Sequence, residues 1–283
     1  MLLVALWAQM FYSASYAWLH GEYYDYGWYV PPLAVWFFYR RWRSWPLVPR
    51  QPLPVWAVAS GLVTLALTLA PLRTLLQTDP SWTTPMWGQA LIVCAASFLI
   101  VWRMAGKKAL LGLVPVVLFA LTAVPMLGSL ERMLVDALTH RVLEASSWVF
   151  GLLGRPVTVL GSNLEMGGQV VEVSEGCSGI RSTQSLLMAS LCIGEWLMLK
   201  AGARFALVAV GLLAAWLTNV ARASMLAQIR FDHGLAAFDK AHDLAGMVAF
   251  VVGTIILLGA ALAMDSKRKG TRVVRKQVSA SAT

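Results

Sequence analysis

Charged residues are scarce in this chain. Asp, Glu, Lys and Arg make up 13% of its 283 residues, whereas hydrophobic residues make up 58%. A soluble globular domain carries roughly 25% charged residues, so this composition excludes an ordinary soluble enzyme or binding domain. We therefore expect a membrane protein.

Cysteine is also rare, with three in the whole chain. Three thiols do not make a disulfide framework, and the absence of a Cys-x-x-Cys pair argues against a thiol–disulfide enzyme. Cys94 and Cys192 lie within apolar runs, where a thiol behaves as a small packing residue. Cys177 differs, because Gly, Ser and Glu surround it at the edge of such a run. It is the cysteine for which the sequence predicts chemistry.

The chain is rich in long apolar runs. A helix needs about 20 residues to cross the hydrocarbon core of a bilayer, so these runs predict an all-α multi-pass membrane protein with about eight transmembrane helices. The second run is short and contains Pro31-Pro32, which is typical of a kinked or re-entrant span. The predicted spans are Met1–Leu19, Tyr26–Tyr39, Gln51–Leu72, Met86–Trp102, Ala109–Leu130, Ser182–Leu199, Phe205–Ala221 and Leu244–Met264.

Basic residues indicate the orientation. With eight spans, most of the 23 Lys and Arg residues fall on one side of the membrane. The positive-inside rule makes that side cytoplasmic and places both termini there. The net charge of +9 then reflects topology, with the lipid bilayer as a partner and no nucleic acid. We expect one integral membrane domain, 1–264, followed by a basic cytoplasmic tail, 265–283.

The longest stretch outside the predicted spans precedes the sixth of them, on the extracytoplasmic side. Leu130–Leu153 has apolar residues along one helical face, which is typical of a helix lying on the membrane surface. Ser162–Met166 and Gln169–Val173 flank Gly167-Gly168, a two-residue turn of the hairpin type. We predict a surface helix and a small extracytoplasmic β-hairpin before the sixth span.

Cys177 stands in the sequence Glu-Gly-Cys-Ser-Gly-Ile-Arg at the mouth of the sixth predicted span. A helix N-terminus and a nearby cation, here Arg181, favour the reactive thiolate. Ser178 and Gly179 allow a substrate backbone to approach closely, and the backbone N–H groups of this turn suit an oxyanion hole. The plainer interpretation is a small residue packing in a tight turn.

Arg222 ends the seventh predicted span. An arginine near bilayer depth is costly and usually has a function or a partner. Its fork of donors suits a carboxylate or an oxyanion, and Asn219 lies on the same helical face, where it can orient the guanidinium. The plainer interpretation is an interface anchor, or a salt bridge to Asp239 or Asp243.

His242 begins the eighth predicted span, with Asp239 three residues before it and Asp243 beside it. An imidazole can act as a base and then as an acid, and a nearby carboxylate can fix its tautomer. A lone histidine is more often structural. Cys177, Arg222 and His242 nevertheless fall at the outer ends of three consecutive spans. Bundling of the spans should bring them together as an acyl-transfer centre.

No metal and no cofactor are expected. One cysteine and one histidine fall short of the three protein ligands that are usual for catalytic zinc. The predicted chemistry therefore depends on side chains and backbone N–H groups alone.

These residues resemble motifs of the exosortase/archaeosortase family of membrane-embedded cysteine transpeptidases, and the resemblance covers about Trp18 to Leu262. Its three blocks are Cys177–Arg181, Asn219–Arg222, and His242 followed by Gly246. A fourth block, Tyr26 to Pro32 followed by Arg40-Arg41, resembles an early family stretch, with Tyr26 where a histidine is common.

The resemblance implies that Cys177 is the nucleophile and that Arg222 and His242 are its catalytic partners. The implied substrate is a membrane-anchored protein with a C-terminal sorting signal: a short motif (Pro-Glu-Pro in the bacterial type), a hydrophobic span and a basic cluster. A thioester at Cys177 would be resolved by water or by an acceptor amine. Arg222 would stabilise the oxyanion or hold the carboxylate of the motif. The bacterial-type resemblance implies the cell inner membrane, with the active site on the extracytoplasmic side, and leaves the oligomeric state open.

A different class of function competes with this interpretation. A multi-pass transporter or assembly factor of an envelope polysaccharide system could also use an arginine and a histidine near the membrane. It should carry polar residues deep within several spans. Glu195 is the only charge within the apolar runs, which disfavours a conduction path.

Overall fold

The computed structural model describes residues 2–21, 23–45, 53–166, 168–172 and 179–281. The chain folds as two compact units, Met1–Glu131 and Arg132–Thr283. Helices make up most of both units, as an all-α membrane protein requires.

The first unit is built from helices, among which α4 packs against α1, α3 and α5, and α2 packs against α5. The edge of Phe37 on α2 meets the ring of Phe119 on α5 at a centroid distance of 5.3 Å, and both side chains are fully buried. In chain order the helices are α1 (Leu2–His20), a 3-10 helix (Asp25–Tyr29), α2 (Val30–Trp42), α3 (Val55–Thr78), α4 (Thr83–Ala105) and α5 (Lys107–Leu121).

Aromatic side chains fix the turn that follows α5. They donate hydrogen bonds to its carbonyls, so this backbone is satisfied outside a helix. The bonds run from Trp18 Nε1 to Ala123 O (2.7 Å), from Tyr26 Oη to Thr122 O (3.1 Å) and from Trp87 Nε1 to Pro125 O (2.8 Å).

The predicted span Ala109–Leu130 is wrong, because this turn interrupts it. α5 ends at Leu121, and Leu130 belongs to the next helix, α6 (Gly128–Leu152). Pro125 lacks a backbone donor and disfavours helical geometry at the residue before it, which favours a break in the apolar run.

By the criteria of length and hydropathy, the described residues contain fewer candidate spans than the eight predicted. Among the described residues, five helices are long and apolar enough to cross a membrane: α1, α3, α4, α8 (Ala201–His233) and α9 (Leu235–Ser281) as far as Ser266. α2, α5 and α7 (Ile180–Trp196) have 13, 15 and 17 residues. At 1.5 Å per residue they reach roughly 20–26 Å, short of the ~30 Å hydrocarbon core. A multi-pass α-helical membrane protein is confirmed, but eight full spans are not.

The second unit contains the rest of α6, a small antiparallel sheet and a group of three helices. α8 packs against both α7 and α9, and α7 packs against α9 (Leu235–Ser281). Gly253 on α9 allows this close packing, because a Cβ there would lie 2.8 Å from a methyl group of Leu186 on α7. Leu186, Leu207 and Leu257 are fully buried between the three helices.

The predicted hairpin is confirmed and belongs to a three-stranded sheet of order β1-β2-β3. β2 (Asn163–Met166) pairs with β3 (Gln169–Glu172), and Met166 lies opposite Gln169. β1 (Thr158–Leu160) was not predicted. It pairs with β2 across a tight turn in which Gly161 has a φ of +61°, a conformation that glycine adopts without strain. Gly167 and Val173, which belong to the predicted hairpin, lie outside the described residues.

A second hydrophobic cluster joins the sheet to the helices. It contains Leu143 and Phe150 of α6, Leu164 of β2, Leu226 of α8 and Ala245 of α9. The sheet therefore packs beside the end of α8 and the beginning of α9, where the predicted site residues lie. The α6 helix matches the predicted helix Leu130–Leu153 within two residues, and its position on a membrane surface remains a prediction.

Candidate active site

Arg222 and His242 lie on the two arms of a helical hairpin. α8 ends at His233 and α9 begins at Leu235, so Gly234 alone joins them, with a φ of +79°. So short a connection makes the two helices antiparallel neighbours, which brings the end of α8 beside the beginning of α9.

The side chains of Arg222 and His242 are in direct contact. Nη2 of Arg222 lies 3.0 Å from Nε2 of His242. Because a guanidinium only donates hydrogen bonds, Nε2 of His242 is the acceptor and carries a lone pair. The ring proton is then on Nδ1, which faces Oδ1 of Asp243 at 3.3 Å. The predicted proximity of Arg222 and His242 is confirmed.

Gly246 lies beside this contact. It lies one turn after His242 on α9, and a Cβ built there would be 3.7 Å from the guanidinium carbon and two nitrogens of Arg222. That is an ordinary van der Waals distance, so an alanine at this position would contact the guanidinium without displacing it. A longer side chain at Gly246 would occupy the space that Arg222 uses.

The beginning of α7 meets α8 one turn before Arg222. Gly179 is the N-cap residue of α7 and has a φ of +81°. A Cβ at Gly179 would lie 2.6 Å from the amide carbon of Asn219, whose side chain is 2% exposed. The backbone two residues after Cys177 is therefore packed onto the buried amide of Asn219, on the helix that carries Arg222.

The remaining predicted site residues differ in their surroundings. Cys177 and Ser178 lie outside the described residues. Arg181 is exposed on the first turn of α7. Asp239 is exposed and makes no hydrogen bond or ion pair with the described residues. Asp243 is the acid next to His242, but its carboxylate is fully exposed.

Phe238 is a neighbour of His242 that the sequence reasoning missed. It lies one turn earlier on α9, and the two ring centroids are 5.7 Å apart. Phe238 also packs against the cluster that joins the sheet to the helices. The i, i+4 spacing of an aromatic residue and a histidine was the available signal, because such pairs meet on one helical face.

Within the described part of the chain, no group of three His, Cys, Asp or Glu side chains forms a site for a metal ion. The contacts that can be described are instead a guanidinium, an imidazole whose Nε2 accepts a hydrogen bond from it, and a helix N-terminus packed on a buried amide. These groups can move a proton and stabilise a developing negative charge.

Comparison with known proteins places the chain in a family. A search of curated proteins and a search of solved structures give no match. A comparison with family models matches residues 18–259, most of the chain, to the transmembrane exosortase family. This range contains α8, most of α9, and the Arg222–His242 contact. The chain therefore belongs to the transmembrane exosortases, a family of membrane transpeptidases.

Proposed function

We propose that this protein is a membrane-embedded cysteine protease or transpeptidase that cleaves the C-terminal sorting signals of exported proteins through a thioester at Cys177. The contact between Arg222 and His242 supports this proposal most strongly. It pairs a proton acceptor with a fixed cation on the helix onto which the segment after Cys177 packs.

The first step is activation of the nucleophile. In the free protein the lone pair on Nε2 of His242 accepts the bond from Arg222. When the substrate draws Nη2 of Arg222 away, this lone pair accepts the thiol proton of Cys177. The N-terminus of α7, two residues further along the chain, favours the resulting thiolate through its free N–H groups. The thiolate attacks the scissile carbonyl, and the carbonyl π electrons move to oxygen.

The second step is collapse of the tetrahedral intermediate. Arg222 and backbone N–H groups stabilise its oxyanion, since donors fixed in advance act most strongly where charge develops. His242 returns the proton to the leaving amine as the carbon–nitrogen bond breaks, which leaves a thioester on Cys177. Water or an acceptor amine then attacks the thioester and restores the thiol.

The substrate in this proposal carries a Pro-Glu-Pro-type motif, a hydrophobic span and a basic cluster. The motif contains a carboxylate, so Arg222 has a second possible role as its ligand. The two roles can be separated by changing the motif glutamate to glutamine in the substrate and combining this with Arg222→Lys. A carboxylate ligand requires the two effects to be non-additive, whereas an oxyanion donor leaves them nearly additive.

The principal test is co-expression with a substrate tagged on both sides of its sorting signal. We expect wild-type protein to remove the C-terminal tag and Cys177→Ala to leave it attached. Cys192→Ala is the matched control. Cys192 lies on α7 and has no role in the proposed chemistry, so this variant should cleave the substrate normally. Complete processing by membrane-inserted Cys177→Ala would rule out the thioester mechanism.

The proposed location is the cell inner membrane, with both termini cytoplasmic and the site on the outer face. With the eight spans predicted from hydropathy, the distribution of basic residues supports this orientation. A fluorescent protein that matures only in the cytoplasm should be bright when fused after Thr283. A periplasm-active phosphatase should be active when inserted at Gly154, an exposed position between α6 and β1.

A further inference from the structure

An open cavity with polar and apolar walls lies between α1 and α3 in the first unit. Its volume is about 510 Å³. On α1 it is lined by Gln9, Tyr12, Ser13 and Tyr16, whose spacing of three, four and seven residues places them on one helical face. This polar stripe is unusual in a helix otherwise apolar enough to span a membrane.

A matching stripe lines the cavity on α3. Arg73, Leu76 and Gln77 have the same spacing, and Pro80 continues it into the turn after the helix. α4 packs against both α1 and α3 and so forms the support on which the two stripes face each other. Among the described residues that line the cavity, Arg73 carries the one formal charge, and its neighbours there include hydroxyl, amide and apolar groups.

Arg73 has no acidic partner among the described residues. The nearest acid along the chain is Asp79, and its Oδ1 accepts hydrogen bonds from the backbone N–H (2.9 Å) and hydroxyl (2.6 Å) of Ser81. An arginine on a membrane-spanning helix is costly unless a counter-charge or water meets it. An anion that enters the cavity would supply such a counter-charge.

We propose that this cavity binds the phosphate headgroup of an anionic phospholipid. Arg73 supplies a charge-assisted donor fork, and the phenol groups of Tyr12 and Tyr16 and the amide of Gln77 supply further donors. The cavity is within the usual size range of small-molecule sites, about 300–1,000 Å³. This site is independent of the chemistry proposed for Cys177.

The apolar part of the cavity wall favours a lipid over a soluble anion as the ligand. Leu19 and Leu76 give it apolar surface, and Tyr12 and Leu19 are 77% and 66% exposed at its rim. The rim belongs to two helices that can span a membrane, so a lipid can enter sideways while its acyl chains stay in the bilayer. In the predicted topology the cavity-lining ends of both helices face the extracytoplasmic leaflet.

The test is titration of the full-length protein with short-chain phosphatidylglycerol, followed by native mass spectrometry. We expect Arg73→Gln to weaken binding about ten-fold, as loss of a charge-assisted hydrogen bond does. Arg73→Lys, which keeps the charge, should lose less. Arg132→Gln is the matched control, because it removes an exposed arginine predicted on the same side that does not line the cavity.

The same titration with phosphatidylcholine and with inorganic phosphate identifies the ligand. Phosphatidylglycerol should bind more tightly than phosphatidylcholine, and millimolar phosphate should not displace it. Equal binding of phosphatidylglycerol by wild-type protein and Arg73→Gln would overturn the proposal that Arg73 binds the headgroup. Saturation by inorganic phosphate without preference for the lipid would overturn the assignment to phospholipid.

Discussion

Nη2 of Arg222 donates a hydrogen bond to Nε2 of His242 across 3.0 Å, from one arm of a helical hairpin to the other. The bond fixes the tautomer of His242 from the side of Nε2, whereas hydrolytic triads fix it with a buried carboxylate on Nδ1. This difference determines which substitutions should matter most.

Replacement of Arg222 by lysine should lower kcat/KM about 10²- to 10³-fold. Lysine keeps the positive charge but loses the planar fork, and removal of one preorganised donor to an oxyanion has a cost of this size. Single-turnover cleavage of a tagged substrate measures the effect. Arg230→Lys, two turns further along α8, is the matched control and should cleave at the wild-type rate. Equal activity of the two variants would mean that Arg222 only anchors the helix.

His242→Gln should lower the rate of thioester formation about 10²- to 10⁴-fold, because glutamine can accept a hydrogen bond from Arg222 but cannot carry a proton between groups. Trapping of the acyl-enzyme with hydroxylamine follows this step. His233→Gln, an exposed histidine at the end of α8, should behave as wild type. Normal accumulation of thioester in His242→Gln would exclude its role as base.

Asp243→Asn should have a small effect, less than about ten-fold on kcat/KM. The carboxylate of Asp243 is fully exposed, and exposed charge pairs contribute little because water and salt screen them. The pH–rate profile of Asp243→Asn, compared with that of wild-type protein, measures the contribution. A loss as large as that of His242→Gln would show that the carboxylate is enclosed when substrate binds.

Gly179→Ala should reduce both thermal stability and activity. Alanine at a φ of +81° costs about 1–2 kcal/mol, and its Cβ would also lie 2.6 Å from the amide carbon of Asn219. Gly154→Ala also places alanine at a positive φ, +73°, but with open space around the Cβ, and it should lose only the stability due to backbone strain. Melting temperatures in detergent separate the two contributions. If the two variants melt alike, the packing of Gly179 on Asn219 does not contribute.

The hydropathy of the sequence, and the side of the membrane on which each residue was predicted to lie, predicted the part of the site formed by α8 and α9. Both helices are long and apolar, and Arg222 and His242 lie on either side of the short turn at Gly234 that makes the helices antiparallel neighbours. The contact of Gly179 with Asn219 could not be predicted in this way. It depends on the rotation of α7 and α8 about their own axes, which the packing of the three helices sets and which the spacing of residues along one helix does not contain.

The prediction of eight spans was not confirmed, for a related reason. An apolar run does not distinguish a spanning helix from a shorter buried one, and the break after Leu121 depends on hydrogen bonds from distant aromatic residues, including Trp18 and Trp87. Similarly, β1 has only three residues and exists through its pairing with β2. Such long-range partners are invisible to a local pattern.

Glu195→Gln should destabilise the protein by about 3 kcal/mol or more. Oε2 of Glu195 lies 2.6 Å from Nη1 of Arg204, and the two side chains are 1% and 15% exposed. Removal of one partner of a buried pair leaves the other charge uncompensated, which is more costly than the net contribution of the pair. Arg204 also bonds the carbonyl of Leu199 at 2.7 Å, so this pair fixes the turn between α7 and α8.

The double variant Glu195→Gln, Arg204→Met is the control for this effect. It removes both charges and should recover much of the stability lost by Glu195→Gln, as a double-mutant cycle in chemical or thermal unfolding would measure. Cleavage activity should follow stability in all of these variants, because the pair lies at the opposite end of α7 from Gly179. A loss of activity by a fully stable double variant would contradict a purely structural role.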